Sequence, residues 1–527
     1  MRKPEKSFIR GALILSAAGI LSKVLGAVYR IPFARIVGGE GLGIYQMAYP
    51  FYTLVLAIST AGIPLAVSKL IAERECQQDY QGVQKVFRLS LLALTCFGLL
   101  MAVILYAAAD WIAIYVLNEP RAALSLKAIA PAIFFTSAIA NFRGFFQGHQ
   151  RMTPTAVSQV LEQLIRVGTV FIATWFLLDL GLELTAAGAS LGASTGSFAA
   201  LAAIVMIYMF SKERRAHSEI VNTEKSSAIF RQIFYLAIPI TIGALVLPLM
   251  QIMDSFLVPG TLQRAGESVS RATDLFGQLS GMAGSIINLP FMVTTALAAS
   301  LVPSISEKIK LGRQSEVADS LQKGFKLAAV IVFPATVGLM VLAEPIMTML
   351  FNEPEASVAL LWMAPTVMAI GAYQVAAGTL QGIGKVMIPV GSLVAGVLLK
   401  AVLTYLLIIG GMGIKGAALA TVIGYLLAAV LNIMIMNRYI QGAWFNAQEH
   451  VIKPLIAVAA MGLFARFSYQ ILLFLGNSLA TLMSITLAGV IYALMLIKIK
   501  GITEDELMFF PKIGYRLVHY AKKLRLL

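Results

Sequence analysis

Lys23, Arg30 and Arg35 punctuate the apolar stretch Phe8 to Val37, where a hydrocarbon-spanning helix would ordinarily carry no charge. A charge at the centre of a bilayer costs roughly 2.5–3.5 kcal/mol even on the most permissive insertion scale, so such cations face a bundle interior or a wet cavity. Their chemistry is that of anion binding: guanidinium forks and an ammonium neutralise a phosphate-like group. The structural alternatives are that Arg35 marks a membrane interface and that Lys23 snorkels. Glu162 and Arg166 stand i, i+4 apart in the order that favours an intrahelical ion pair. Arg466 lies in a late apolar span, placed either to touch a headgroup or to snorkel. Asp254 and Lys400 are embedded carboxylate and ammonium groups that need partners; each is read as the other's candidate, with Arg30 as a rival partner for Asp254.

The elements that carry these residues are membrane helices. Of 527 residues, 59% are hydrophobic and 13% charged, far from soluble composition. The net charge of +15 does not point to nucleic acid, because most of the 41 Lys and Arg residues fall in short loops between apolar spans. The two cysteines, Cys76 and Cys96, offer no disulfide framework. The basic N-terminus leads into an apolar stretch too long for a signal peptide, and reads as a retained first helix. His149, His217, His450 and His519 are scattered without metal-ligand spacing, so no metal, cofactor or enzymatic constellation is expected.

A crossing needs about 20 residues, which places fourteen spans, near 8–36, 43–70, 85–109, 124–148, 154–178, 184–210, 233–258, 275–305, 325–344, 357–381, 387–410, 414–436, 452–475 and 478–497. The positive-inside bias puts both termini on the cytoplasmic side. Gly26 and Pro32, Pro50 and Pro64, Pro239 and Pro248, and Pro290 and Pro303 are read as interruptions of the first, second, seventh and eighth spans. Asn118-Glu119-Pro120, Pro131 and Gln147-Gly148 recur 234 residues later as Asn352-Glu353-Pro354, Pro365 and Gln381-Gly382. Gly188-Ala189, Leu191 and Gly196 recur at a second offset as Gly416-Ala417, Leu419 and Gly424. The fold class is therefore all-α and polytopic, with two six-helix lobes related by a parallel repeat, residues 1–210 and 229–440. A cytoplasmic linker, 211–228, joins them, letting the lobes rock around a central site. Two added helices occupy 441–500. A basic amphipathic tail, 501–527, suits the surface of an anionic leaflet.

Ser22-Lys23-Val24-Leu25-Gly26 with Ala34-Arg35-Ile36-Val37-Gly38 resembles the opening of the MurJ-type lipid II flippases of the multidrug/oligosaccharidyl-lipid/polysaccharide exporter superfamily. Gly43 to Pro50, Ser59 to Pro64, and Arg143-Gly144 through Met152-Thr153-Pro154 are similar to the Gram-positive branch that includes YtgP and the stage V sporulation protein B-like proteins. The resemblance spans essentially the whole chain. It implies a multi-pass protein of the bacterial cytoplasmic membrane that turns lipid II, a lipid-linked anionic cell-wall precursor, from the inner to the outer leaflet by alternating access. Membrane lipids and the cell-wall synthesis machinery are the implied partners. It also implies substrate contact for Lys23, Arg30 and Arg35, and a polyprenyl groove along the last two helices, where Arg466 would meet the substrate. Family members with a sodium site carry acidic and amide groups on the seventh and eleventh helices, whereas here the eleventh offers Lys400. An exporter of lipid-linked polysaccharide repeat units is the first alternative, and a cation-coupled drug exporter the second. Asp254 and Lys400, and Glu162 with Arg166, are the candidates for coupling or gating.

The Asp254 and Lys400 reading carries its own test. Asp254→Lys is expected to inactivate, and adding Lys400→Asp to restore part of the activity; rescue by the Asp254→Arg/Arg30→Asp exchange alone would transfer the pairing to Arg30.

Overall fold

The computed structural model describes residues 3–60, 62–211, 224–440, 445–499 and 501, and among them every regular element is helical. Most of the expected linker and nearly all of the expected basic tail lie outside the described residues. Two compact units divide the chain at residues 1–281 and 282–527.

The first unit contains α1 (Lys3–Val28), α2 (Arg30–Thr60), α3 (Ile63–Cys76), α4 (Tyr80–Trp111), α5 (Ala122–Gly148), α6 (Thr153–Leu177), α7 (Leu182–Met209), α8 (Ser226–Arg264) and α9 (Val269–Phe276). Asp79 caps α4 by accepting from the Gly82 N–H at 2.7 Å, and Pro154 opens α6, where its missing N–H leaves no bond unmade. The heavily buried α5 packs on α2, α3, α4 and α7. Phe87, Phe142, Phe145 and Tyr208 interlock beside it, with 4.8 Å between the Phe87 and Phe145 ring centroids. The helices α8 and α9, which open the second lobe in the sequence repeat, pack within this unit against α2.

Thirteen helical runs among the described residues are long and apolar enough to cross a membrane, one fewer than the expected fourteen. The difference lies in the first run, Leu13–Cys76, which is 64 residues long. Straight, it would extend about 96 Å at 1.5 Å per residue, three times a hydrocarbon core of about 30 Å. It folds back instead. Gly38 has φ 68°, a left-handed conformation that a side chain resists, and the Tyr29 and Tyr45 hydroxyls meet at 2.9 Å across the reversal. The chain therefore reverses at Gly38, while the expected interruption between Gly26 and Pro32 falls at Tyr29, where α1 gives way to α2.

The second unit contains α10 (Gly284–Lys310), α11 (Gln314–Val341), α12 (Ala343–Phe351), α13 (Ser357–Met363), α14 (Thr366–Gly382), α15 (Met387–Leu407), α16 (Ile414–Met436), α17 (Lys453–Leu472) and α18 (Asn477–Lys498). Pro248 in α8 and Pro290 and Pro303 in α10 lie inside continuous helices and do not interrupt them. The repeat is a repeat of contacts as well as of letters. A Cβ on Gly144 would lie 2.8 Å from the Pro64 carbonyl, and one on Gly378 2.7 Å from the carbonyl of Ala298, the same pair displaced by 234 residues. Gly148 on Ile71 and Gly382 on Ile305 repeat the correspondence one turn further on. Asn118 and Asn352 share a left-handed backbone, with φ 52° and 57°.

Orientation is open to a direct check. In a chain with Cys76 and Cys96, both exposed, replaced by serine, a cysteine at Glu267 is expected to react with an impermeant thiol reagent in intact cells. One at Ser227 should react only after permeabilisation; equal labelling would overturn the assigned sidedness.

Candidate functional site

The first unit gathers its buried charges around α2, α5 and α6. Arg30, the first residue of α2, is half-buried, and its guanidinium carbon lies 5.8 Å from the centroid of Tyr49. Only the reversal at Gly38 makes this contact possible, since nineteen residues of straight helix would separate the two by about 28 Å. Tyr45, Tyr49 and Tyr52 stand i, i+4 and i+7 along the returning leg, with centroids 5.8 and 5.7 Å apart. Tyr52 is fully buried, and Tyr49 and Tyr52 both lie within electrostatic range of Arg166.

Arg166 donates to Glu162 at 2.9 Å, forming the i, i+4 pair. Arg143 on α5 donates to the other carboxylate oxygen at 3.0 Å and to the Ser158 hydroxyl at 3.0 Å. One carboxylate thus answers two guanidiniums, whose side chains are 16% and 11% exposed for Arg143 and Arg166. Arg166 Nε and Gln163 Nε2 are buried donors with no hydrogen-bond partner among the described residues. Two guanidiniums thus share a single carboxylate, and Arg30 stands on the neighbouring tyrosine ladder. An anionic oxygen would find fixed charge, phenol hydroxyls and open N–H donors there.

A second polar network occupies the far end of α5. Arg121 grips Glu119 through Nε and a terminal nitrogen, both at 2.7 Å, and donates to Glu40 at 2.7 Å. Thr273 on α9 donates to Glu119 at 2.7 Å, and Ser270 donates to Glu40. Glu119 is 1% exposed, and its bonds, with those from Glu40, hold the Arg121 guanidinium pKa well above its ordinary value. The network ties α9 to α2 and to the turn before α5.

Lys23 is exposed on α1, Arg35 is exposed on α2, and Asp254 is half-buried on α8. Lys400 is 3% exposed on α15 of the second unit, and Arg466 is exposed on α17. Lys400 is the repeat counterpart of Arg166: a Cβ on Gly424 would lie 3.0 Å from the Lys400 Cβ, as one on Gly196 would lie 3.1 Å from the Arg166 Cβ. Gly396 stands where Glu162 would be. Arg143, inside the expected 124–148 span but not among the expected site residues, lies in α5 and closes the ion-pair triad. The sequence reading also passed over the tyrosine ladder, whose i, i+4, i+7 spacing was the available signal. Among the described residues no group of three or more His, Cys, Asp or Glu could hold a metal ion.

Fold and charge together define a polytopic helical membrane protein with a buried guanidinium cluster. The structure aligns with the inward closed conformation of lipid II flippase MurJ at TM-score 0.67 and 17% identity, covering 92% of this chain and 98% of the other. It aligns equally with an inward-facing multidrug resistance MATE family transporter of the MOP superfamily, at TM-score 0.67 and 17% identity over 81% and 98% of the two chains. In sequence, stage V sporulation protein B of Bacillus subtilis (strain 168) is 29% identical over 98% of this chain and 99% of its own. The lipid II flippase MurJ of the same organism is 29% identical over 87% and 88%. The polysaccharide biosynthesis protein family matches residues 8–308, and MatE matches 280–406. The chain belongs to the polysaccharide biosynthesis protein family.

The shared carboxylate makes a stability prediction. Glu162→Gln leaves two buried guanidiniums uncompensated and is expected to cost about 3–5 kcal/mol, read as a lowered thermal midpoint in detergent. Arg143→Gln keeps the Glu162–Arg166 pair and should cost clearly less; the reverse order would show that the triad is not held by its carboxylate.

Proposed function

We propose that this protein turns an undecaprenyl-pyrophosphate-linked cell-wall precursor, lipid II or a close relative, from the inner to the outer leaflet of the bacterial cytoplasmic membrane. The observation that carries the reading is the pair of buried guanidiniums, Arg143 and Arg166, that share the one carboxylate of Glu162 beside the tyrosine ladder, with the Arg166 Nε donor unbonded among the described residues. A pyrophosphate carries concentrated negative charge and many acceptor oxygens, which suits guanidinium forks and phenol donors in a low-dielectric setting. A cationic drug would meet repulsion from the same cluster. The 29% identity to a lipid II flippase supports this substrate class.

In this reading Arg30 takes the first phosphate contact and the Tyr45, Tyr49 and Tyr52 ladder guides the headgroup towards Arg166. Lys23 and Arg35, exposed on α1 and α2, attract the anion as it enters and leaves. The Glu40–Arg121–Glu119 network acts as a closure whose α9 contacts, Thr273 to Glu119 and Ser270 to Glu40, separate when the site changes the face to which it opens. Arg121 and Glu119 remain paired within one turn of chain, so the anchor stays in place while α9 moves. Asp254 on α8 and the buried Lys400 are the groups through which this exchange is coupled.

The test is complementation of a strain depleted of its lipid II flippase, with outer-leaflet lipid II measured directly. The native chain should restore it; Arg30→Ala and Arg166→Ala should reduce it at least about tenfold at native expression. Arg30→Lys, which keeps charge but loses the fork, should be intermediate. Normal complementation by both alanine variants would sink the anion-cluster mechanism. Family membership favours one second reading, export of another lipid-linked glycan: there, lipid II would stay in the inner leaflet while a different undecaprenyl-pyrophosphate glycan reaches the outer one.

A further inference from the structure

We infer that a cleft in the second unit, lined by α11, α12, α13 and α17, is a binding site for a zwitterionic phosphoethanolamine lipid headgroup, with phosphate held by Arg466 and ammonium by Glu344. The cleft encloses about 330 Å³, within the range of small-molecule sites, and is lined by both charged groups together with Tyr469, Gln470, Val358 and Leu361. Neither Arg466 nor Glu344 makes an ion pair or hydrogen bond among the described residues, although both face the same space. Two opposite charges that share a cleft without pairing fit a ligand that carries both signs itself.

Depth orders the two charges. The base of α17 is marked by Lys453 and Lys326, which both pair with Glu449. Arg466 lies thirteen residues along the helix, about 20 Å away, and the helix ends at Leu472, about 28 Å away. In a hydrocarbon core of about 30 Å, Arg466 therefore stands inside the opposite leaflet, with its guanidinium reaching towards the headgroups. Glu344 is further out. Its neighbour Pro345 accepts from Asn477 Nδ2 at 3.2 Å, at the start of α18, and Asn477 in turn accepts from the Tyr469 hydroxyl at 2.9 Å. The cation is thus deeper and the carboxylate nearer the rim. A phosphoethanolamine headgroup has the same order, its phosphate next to the glycerol and its amine outermost, while Val358 and Leu361 offer an apolar wall to the first methylenes. An anionic headgroup without an amine would satisfy Arg466 but leave Glu344 repelling it.

This site is independent of the proposed transport activity, and its test reads binding alone. The full chain in detergent is titrated with tail-labelled phosphatidylethanolamine, phosphatidylglycerol and phosphatidylcholine, whose headgroups stay intact. Phosphatidylethanolamine should bind at least about fivefold tighter than phosphatidylglycerol, with phosphatidylcholine, which has no N–H donors, weaker as well. Glu344→Gln should erase the preference over phosphatidylglycerol, and Arg466→Gln should weaken both phospholipids. Equal or tighter binding of phosphatidylglycerol by the native chain, or a preference that survives in Glu344→Gln, overturns the assignment. The native-chain comparison decides without reference to how either variant folds.

Discussion

A guanidinium held inside a membrane must be answered by something that offsets its charge, and the first unit is organised around that requirement. Arg143 and Arg166 share Glu162, one oxygen each, and Arg30 lies over the face of Tyr49. Removing a shared anion is costlier than removing either cation, because a buried charge without a partner pays its full desolvation. The helices that supply these groups are fixed by the same arrangement. The pairing of Arg143 with Glu162 binds α5 to α6, and the Tyr29–Tyr45 contact closes the reversal at Gly38.

The second unit keeps the packing and changes the charge. Gly378 on Ala298 and Gly382 on Ile305 restate Gly144 on Pro64 and Gly148 on Ile71 with the same displacement, so close helix contacts are held at corresponding places. Lys400 then occupies the position of Arg166, but Gly396 and Ala377 stand where Glu162 and Arg143 would be. Thr404 and Asn432, both buried, retain hydroxyl and amide atoms without hydrogen-bond partners among the described residues. The repeat therefore carries a scaffold in both halves and a multi-arginine cluster in one.

Much of the fold was legible because hydrocarbon thickness imposes helix length, and apolar runs declare themselves. The repeat was legible because glycine and proline are placed by backbone contacts rather than by surface chance. Prolines misled where neighbouring helices absorb the lost hydrogen bond: Pro290 and Pro303 sit in an unbroken α10. Arg30 and the Glu162–Arg166 pair were visible as charges in greasy surroundings. Arg143 was not singled out, since its partners Glu162 and Ser158 lie on another helix, at no spacing that sequence periodicity marks. The tyrosine ladder was silent for a different reason: tyrosines at helical spacing are ordinary core residues until a reversal of the chain sets a cation against one of them. The Arg121 network joins residues as far apart as Glu40 and Thr273, a juxtaposition that only the packed α9 reveals.

The replacement of Glu162 by Gly396 has a consequence for biogenesis. As the nascent chain leaves the ribosome, α6 reaches the insertion machinery carrying its own counter-ion one turn from Arg166, so the pair can partition together. The sequence of α15 brings Lys400 with no carboxylate at i−4 and must enter on apolarity alone; its span is correspondingly the more hydrophobic of the two. Leucine and valine in α15 thus act before folding as the driving force for insertion, and polar substitutions harmless to the finished packing would strand that hairpin at the translocon.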